Sequence, residues 1–298
     1  MDRRACALPA AFVLAAGLAV AVSGCSTRGT QDPARHVRSV LIEGGQHVQV
    51  LEPAATNRSS ITIVMVPGGG LSSAIYLGYD DRSWARRFSA AGYRVVLIDP
   101  PDETVAPRWS SANAFQIWGI DPDRRSGQMP SRFDVGDPER VRRLLASPSK
   151  ALTASELERV LRAFGTTVVV GHSFGGKTVI EASGSQVDVV GIVLVEPVRC
   201  PTDKAVLRDV FVASDRAFLS IWGDNLERGA PPIIDRREAC AAASYDIVDL
   251  GGNATIVDLP HIGIIGNSHL MMAEDNADRI ADLILQWIAR LQPSRAGN

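Results

Sequence analysis

The sequence predicts an α/β protein built on an open, mostly parallel sheet of about eight strands, flanked by helices and carrying an inserted cap. Three observations predict it. Apolar, β-branched runs recur without polar alternation, as strands buried on both faces require. Stretches with helical spacing lie between them. The last of these is amphipathic, with Ile280, Leu283, Ile284, Trp287, Ile288 and Leu291 on one stripe and Asp278, Arg279, Asp282 and Arg290 between them. The chain has 298 residues, 46% hydrophobic and 21% charged, which suits one large domain and excludes a collagen-like or globally disordered chain. A formal charge of −2 gives no basic face for nucleic acid.

In chain order, Val37 to Ile42 and Val48 to Leu51 flank Gly44-Gly45 and read as a β-hairpin. The buried-strand runs are Ile61–Val66, Tyr93–Ile98, Thr166–Val170, Val189–Val195, Ala217–Trp222 and Ala254–Leu259. Helical stretches are Trp84–Ala91, Ala154–Phe164 and Phe174–Ser183. The stretch from Pro100 to about Thr153 fits neither period. It holds Trp109, Phe115 and Trp118, then a Gly/Pro/Arg-rich segment and a short helical piece from Glu139 to Ala146. An insertion of this length between core strands is usually functional, so residues 101–153 are read as a cap. The three aromatic residues either line an apolar substrate cleft or simply pack the cap.

The N-terminus is of another kind. Asp2, Arg3 and Arg4 precede an apolar run from Ala5 to Val22, a secretory signal pattern. At roughly 18 residues the run is borderline for a membrane span. It ends Val22-Ser23-Gly24-Cys25 and resembles the bacterial lipobox, in which the Cys thiol receives diacylglycerol before cleavage. On this reading residues 1–24 are a signal peptide, Cys25 is the lipidated mature N-terminus, 25–37 is a tether and 38–298 is the domain. The product is then a lipoprotein of the bacterial cell envelope, periplasmic or surface-facing, touching the membrane through its lipid alone. An uncleaved anchor, or ordinary cleavage near Ala21, is the alternative. Losing Asp2, Arg3 and Arg4 leaves 274 residues at −3. Cys6 is discarded and Cys25 assigned, so Cys200 and Cys240 remain as a disulfide candidate in an exported chain, or as two buried free thiols.

Directly after the Thr166–Val170 run comes Gly171-His172-Ser173-Phe174-Gly175-Gly176, followed by a helix. This is G-x-S-x-G in the strand–turn–helix context that gives the pattern meaning, and it marks Ser173 as a nucleophile on a sharp turn. An oxyanion hole needs the N–H of the next residue, Phe174, and one from an earlier strand's loop. Pro67-Gly68-Gly69-Gly70 follows the Ile61–Val66 run, and Gly69 is the chosen donor. A phosphate loop does not fit, because neither G-K-[ST] nor G-x-G-x-x-G is present.

Of the five histidines, His36 lies in the tether, His47 in the hairpin turn, and His172 adjoins the serine and reads as structural. The order Ser, acid, His leaves His261 and His269 after the last strand. His269, just before the final helix, is better placed as base. Two carboxylates compete to orient it: Asp224 after the Ala217–Trp222 run, and Glu196 after Val189–Val195. No His/Cys/Asp grouping has metal-ligand spacing, so no metal or other cofactor is expected.

Val195-Glu196-Pro197, Cys200-Pro201, Gly223-Asp224, Cys240, Gly251-Gly252, Leu259-Pro260 and Gly266-Asn267-Ser268-His269-Leu270-Met271-Met272 resemble the esterase 713-like family of bacterial α/β hydrolases. So does the ending from Asn276 through Ala281-Asp282-Leu283-Ile284-Leu285-Gln286-Trp287-Ile288. The resemblance is strong over 190–290 and weak in the cap. It implies an α/β-hydrolase fold, serine carboxylesterase activity on small esters through an acyl-enzyme, and Glu196 rather than Asp224 as the acid with His269 as base. It also implies a Cys200–Cys240 disulfide and a homodimer. The chain departs from it at Gly69-Gly70, where the type enzyme has adjacent cysteines, and in a shorter cap. A lactonase, thioesterase or peptidase on the same scaffold is an alternative, as is a lipoprotein that uses the cleft only for binding.

Overall fold

The computed structural model describes residues 37–53, 58–78, 82–99, 105–107, 111–120, 132–134, 136–138, 141–142, 146–148, 152–184, 187–224, 226–227 and 233–291. Residues 1–24, read above as a signal peptide, Cys25, nearly all of the stretch read as a tether, and Trp109 lie outside the described residues. No helix among the described residues is long and apolar enough to cross a membrane.

The hairpin forms as β1 (Val37–Leu41) and β2 (His47–Leu51), its turn carried by Gly44 and Gly45 at φ 84° and 82°. Then follow β3 (Thr62–Val66), α1 (Ala74–Leu77), α2 (Trp84–Ala90) and β4 (Arg94–Ile98). The insertion contributes β5 (Val105–Pro107), α3 (Ser111–Trp118) and β6 (Ala146–Pro148). After it come α4 (Ala154–Phe164), β7 (Thr167–His172), α5 (Phe174–Ala182), β8 (Val189–Val195), and α6 (Lys204–Leu207), which runs into a π turn over Arg208–Val212. The chain closes with β9 (Ala217–Trp222), α7 (Ile234–Asp249), β10 (Ala254–Asp258) and α8 (Ala277–Arg290).

The main sheet has eight strands in the order β1-β2-β4-β3-β7-β8-β9-β10. Only the hairpin side, β1 to β2 and β2 to β4, pairs antiparallel. The parallel strands β3, β7 and β9 are buried along their whole length, as their unbroken apolar runs require. Two apolar layers cover the faces. One packs Trp84, Phe88, Trp118, Ile280, Ile284 and Ile288 against one side of the sheet. The other packs Leu157, Leu161, Val179, Phe211 and Ile247 against the opposite side. Local signals start the helices: Thr153 and Glu156 form a reciprocal capping box on α4, and the Ser83 hydroxyl accepts from the Arg86 N–H on α2.

Two differences from the sequence reading stand out. The helical piece expected to run to Ala146 ends earlier: Val141 and Arg142 are helical, but Ala146 lies in β6, paired antiparallel with Pro107 of β5. Helix α7 carried no amphipathic signal, because it packs through small residues, Cys240, Ala241, Ala243 and Ser244, with Ile247 its one large buried side chain. Cys240 is bonded to Cys200, tying α7 to the loop after β8, with Cα atoms 5.0 Å apart.

Candidate active site

The order of strands in the sheet reverses at β3. The chain leaves it for β4 on one side and returns to β7 on the other, and such switch points open a crevice at the strands' carboxyl ends. The parallel register pairs Val66 with Gly171, so the loop after β3 and the turn after β7 emerge side by side. That turn holds Ser173 at φ 51°, ψ −119°, a strained conformation for a residue with a Cβ. Backbone bonds fix it there. The Ser173 N–H donates to Val195 O (3.0 Å), and its carbonyl accepts from Gly176 N–H and Val198 N–H (both 3.1 Å). The turn closes this tightly only with glycine at 175, where a Cβ would lie 2.4 Å from Pro67 O. Gly69 sits against Phe174, since a Cβ on it would lie 3.2 Å from the Phe174 Cβ. The two residues selected as oxyanion donors are therefore neighbours. Phe174 is partly exposed, with the Lys177 ammonium 5.1 Å from its ring centroid.

The register of β8 with β9 pairs Val195 with Ile221, which sets Glu196 beside Gly223. Glu196 also has a positive φ, 41°, its N–H donating to Ile221 O (3.0 Å). Its carboxylate is 1% exposed and accepts two hydrogen bonds, from Gly223 N–H at Oε1 (2.8 Å) and from His269 Nδ1 at Oε2 (2.7 Å). Burial pushes the Glu196 carboxyl up to about 8, against the Gly223 N–H and assisted by the Asp224 charge. Burial likewise pulls the His269 imidazole down to about 4, with the Arg236 guanidinium adding to the effect. Both shifts share one cause: an enclosed site disfavours charge on either partner. With Glu196 ionised, the neutral imidazole donates from Nδ1, and its lone pair lies on Nε2.

The other candidates fall elsewhere. Asp224 accepts from Gly266 N–H and so braces the turn before His269 rather than its ring. His261 is at the surface, its Nδ1 3.5 Å from Asp258, which already takes a two-pronged bond from Arg237. Trp118 is 5% exposed and belongs to the core, and its carbonyl accepts the His269 N–H (3.1 Å). Phe115 is half-buried against the same layer. Among the described residues no grouping of three or more His, Cys, Asp or Glu could hold a metal ion.

The sequence reading missed what holds the His269 loop. Glu274, 1% exposed, accepts from Ser268 N–H (2.8 Å) and Asn267 Nδ2 (2.6 Å), and Asn267 and Asn276 exchange amide bonds. It also missed Asp99, which accepts from the Ser73 N–H and hydroxyl directly after the glycine loop. Burial raises that carboxyl, with the serine bonds opposing. The only available signal was a carboxylate inside an apolar context, which says nothing about its partner.

A sharp turn at the switch point of a mostly parallel sheet, with a carboxylate–imidazole pair on the neighbouring loops, is the architecture of the α/β hydrolases. The α/β hydrolase family model matches residues 63–291, and the chain belongs to that family. No curated protein matches it in sequence. Among solved structures it is similar to one described as a novel bacterial esterase, with TM-score 0.71 and 21% identity over 86% of this chain and 93% of that one. It is also similar to a highly thermostable carboxyl esterase from Bacillus coagulans, with TM-score 0.50 and 13% identity over 86% of this chain and 98% of that one. These likenesses are of fold.

Proposed function

We propose that the protein is a serine hydrolase of small carboxylic esters, with Ser173 as nucleophile, His269 as base and Glu196 as the acid that orients it. The observation that carries the reading is the 2.7 Å bond from His269 Nδ1 to a doubly accepting, buried Glu196, on loops that flank a strained Ser173 turn. In the reaction, His269 Nε2 takes the Ser173 hydroxyl proton as the oxygen attacks the ester carbonyl. The Gly69 and Phe174 amides receive the tetrahedral oxyanion, aided by the positive end of α5. The imidazolium then protonates the departing alcohol, and water activated by the same imidazole hydrolyses the acyl-enzyme. The exposed ring of Phe174, next to Ser173, supplies apolar surface for the acyl or alcohol group. The esterase structures it resembles in fold favour an ester over the other acyl substrates.

The test is turnover of a short-chain aryl ester by wild type and Ser173→Ala. Turnover by wild type and none by the variant are expected. Equal turnover by both overturns the serine mechanism, and none by wild type favours the binding protein. For location we propose an envelope lipoprotein anchored at Cys25, a reading supported by the Cys200–Cys240 disulfide, which suits an oxidising compartment. Intact mass of the exported protein should show an acylated chain beginning at Cys25, and an unmodified chain beginning elsewhere overturns it.

A further inference from the structure

His172 precedes the nucleophile and is fully buried. Its Nε2 lies 2.8 Å from the backbone carbonyl oxygen of His269. A carbonyl can only accept, so Nε2 carries the hydrogen and Nδ1 presents a lone pair. That Nδ1 is buried and has no hydrogen-bond partner among the described residues. It faces the glycine loop: a Cβ at Gly68 would lie 2.7 Å from it. The two imidazole rings stand 4.6 Å apart between centroids, tilted by 48°. One side chain, covalently next to Ser173, thus touches both the loop of the base and the loop of the oxyanion donor. Burial, and secondarily the nearby His269, hold this imidazole well below its ordinary pKa. The ring is therefore disfavoured as a cation, and its carbonyl partner sets the tautomer.

We propose that His172 is a positioning residue: its Nε2–H fixes the His269 backbone relative to the Ser173 turn, so that the base meets the hydroxyl in reactive alignment. Packing does not call for histidine here. An apolar ring would fill the space and leave no ring nitrogen unpaired, but it could not donate to the His269 carbonyl. The inference rests on Ser173 and His269 acting as proposed above.

The experiment compares wild type with His172→Phe, which keeps a ring and removes the donor, and His172→Gln, which restores a donor. Two quantities are read: aryl-ester kcat and KM, and the number of active sites titrated by a stoichiometric aryl phosphonate, with the label located on Ser173. A base displaced by about an ångström lowers turnover on the order of 100-fold. The Phe variant should therefore lose roughly 10- to 100-fold in kcat per titrated site, with KM little changed and the number of sites unchanged. The Gln variant should recover most of the loss. A Phe variant that loses sites but keeps the wild-type rate per site makes His172 merely structural and overturns the proposal, as does a Gln variant no better than Phe. If the Phe variant does not fold, His172→Asn, whose amide is too short to reach the carbonyl, takes its place under the same criteria. A wild-type protein that is not labelled at Ser173 overturns the hydrolase reading itself. A labelled wild type with an unaffected Phe variant overturns only this one.

Discussion

Glu196→Gln changes one atom and tests the proposed orientation of the base. With Glu196 ionised, both carboxylate oxygens accept, one from Gly223 N–H and the other from His269 Nδ1–H. Glutamine offers one acceptor and one donor. The backbone N–H of Gly223 cannot change its role, so the carbonyl oxygen stays there and the amide NH₂ faces His269. Nδ1 must then become the acceptor, which moves the imidazole hydrogen to Nε2, the atom proposed to take the Ser173 proton. Restoring the productive tautomer sets N–H against N–H. It forfeits a hydrogen bond to a charged group, about 1.5–3 kcal/mol, and leaves buried donors unsatisfied, about 1–3 kcal/mol more. A total of about 2.5–6 kcal/mol corresponds to roughly 10²- to 10⁴-fold, and the like acid-to-amide change in a serine protease triad costs about 10⁴-fold in turnover. The assay is aryl-ester turnover per phosphonate-titrated site at about pH 9, where Glu196 is ionised, with circular dichroism to confirm the fold. Turnover within tenfold of wild type would refute the reasoning, most of all if Asp224→Asn collapsed instead.

Asp224→Asn keeps an acceptor for Gly266 N–H and should stay within about tenfold of wild type in kcat/KM, measured with the same ester. The raised Glu196 carboxyl also predicts a pH effect on stability. Between its unfolded value of 4.5 and about 8 the folded chain binds this proton more tightly than the unfolded chain. Its stabilising contribution is complete below 4.5 and is lost as pH rises through about 8. A glutamine side chain has no such proton to lose, so the Tm of Glu196→Gln relative to wild type should climb from pH 5 to pH 9; a flat or falling difference contradicts the shift. Replacing Cys200 and Cys240 with serine opens a loop of sequence separation 40, worth about 4 kcal/mol in the chain-entropy model. Differential scanning calorimetry should show a Tm lower by roughly 8–16 °C, with the ester rate at 25 °C retained.

Most of the sheet was legible because strands buried on both faces must be apolar throughout, and Val189–Val195 and Ala217–Trp222 match the observed strands end to end. Helix α7 was not, since packing through alanine and a disulfide leaves no large-residue stripe. In the site, Ser173 was readable because G-x-S-x-G describes a local backbone constraint. The choice between Glu196 and Asp224 was not local. Both end apolar strands, and only the β8–β9 register decides which carboxylate reaches His269 Nδ1 and which reaches Gly266. The bracing carboxylates Glu274 and Asp99 were illegible for the same reason: their partners arrive from loops whose path the sequence does not specify.

Ser173 and Glu196 both hold left-handed backbone angles that side-chain-bearing residues disfavour. Such a residue stores on the order of 1–3 kcal/mol of strain. The turn at 173 is fastened entirely through main-chain atoms, to Val195, Gly176 and Val198, and these attachments do not need the serine hydroxyl. Ser173→Gly should therefore melt at a higher temperature than the native chain while losing all turnover. On the proposed mechanism the protein keeps its nucleophile against its own stability, and a selection for thermal tolerance alone would erase the site before it touched the sheet.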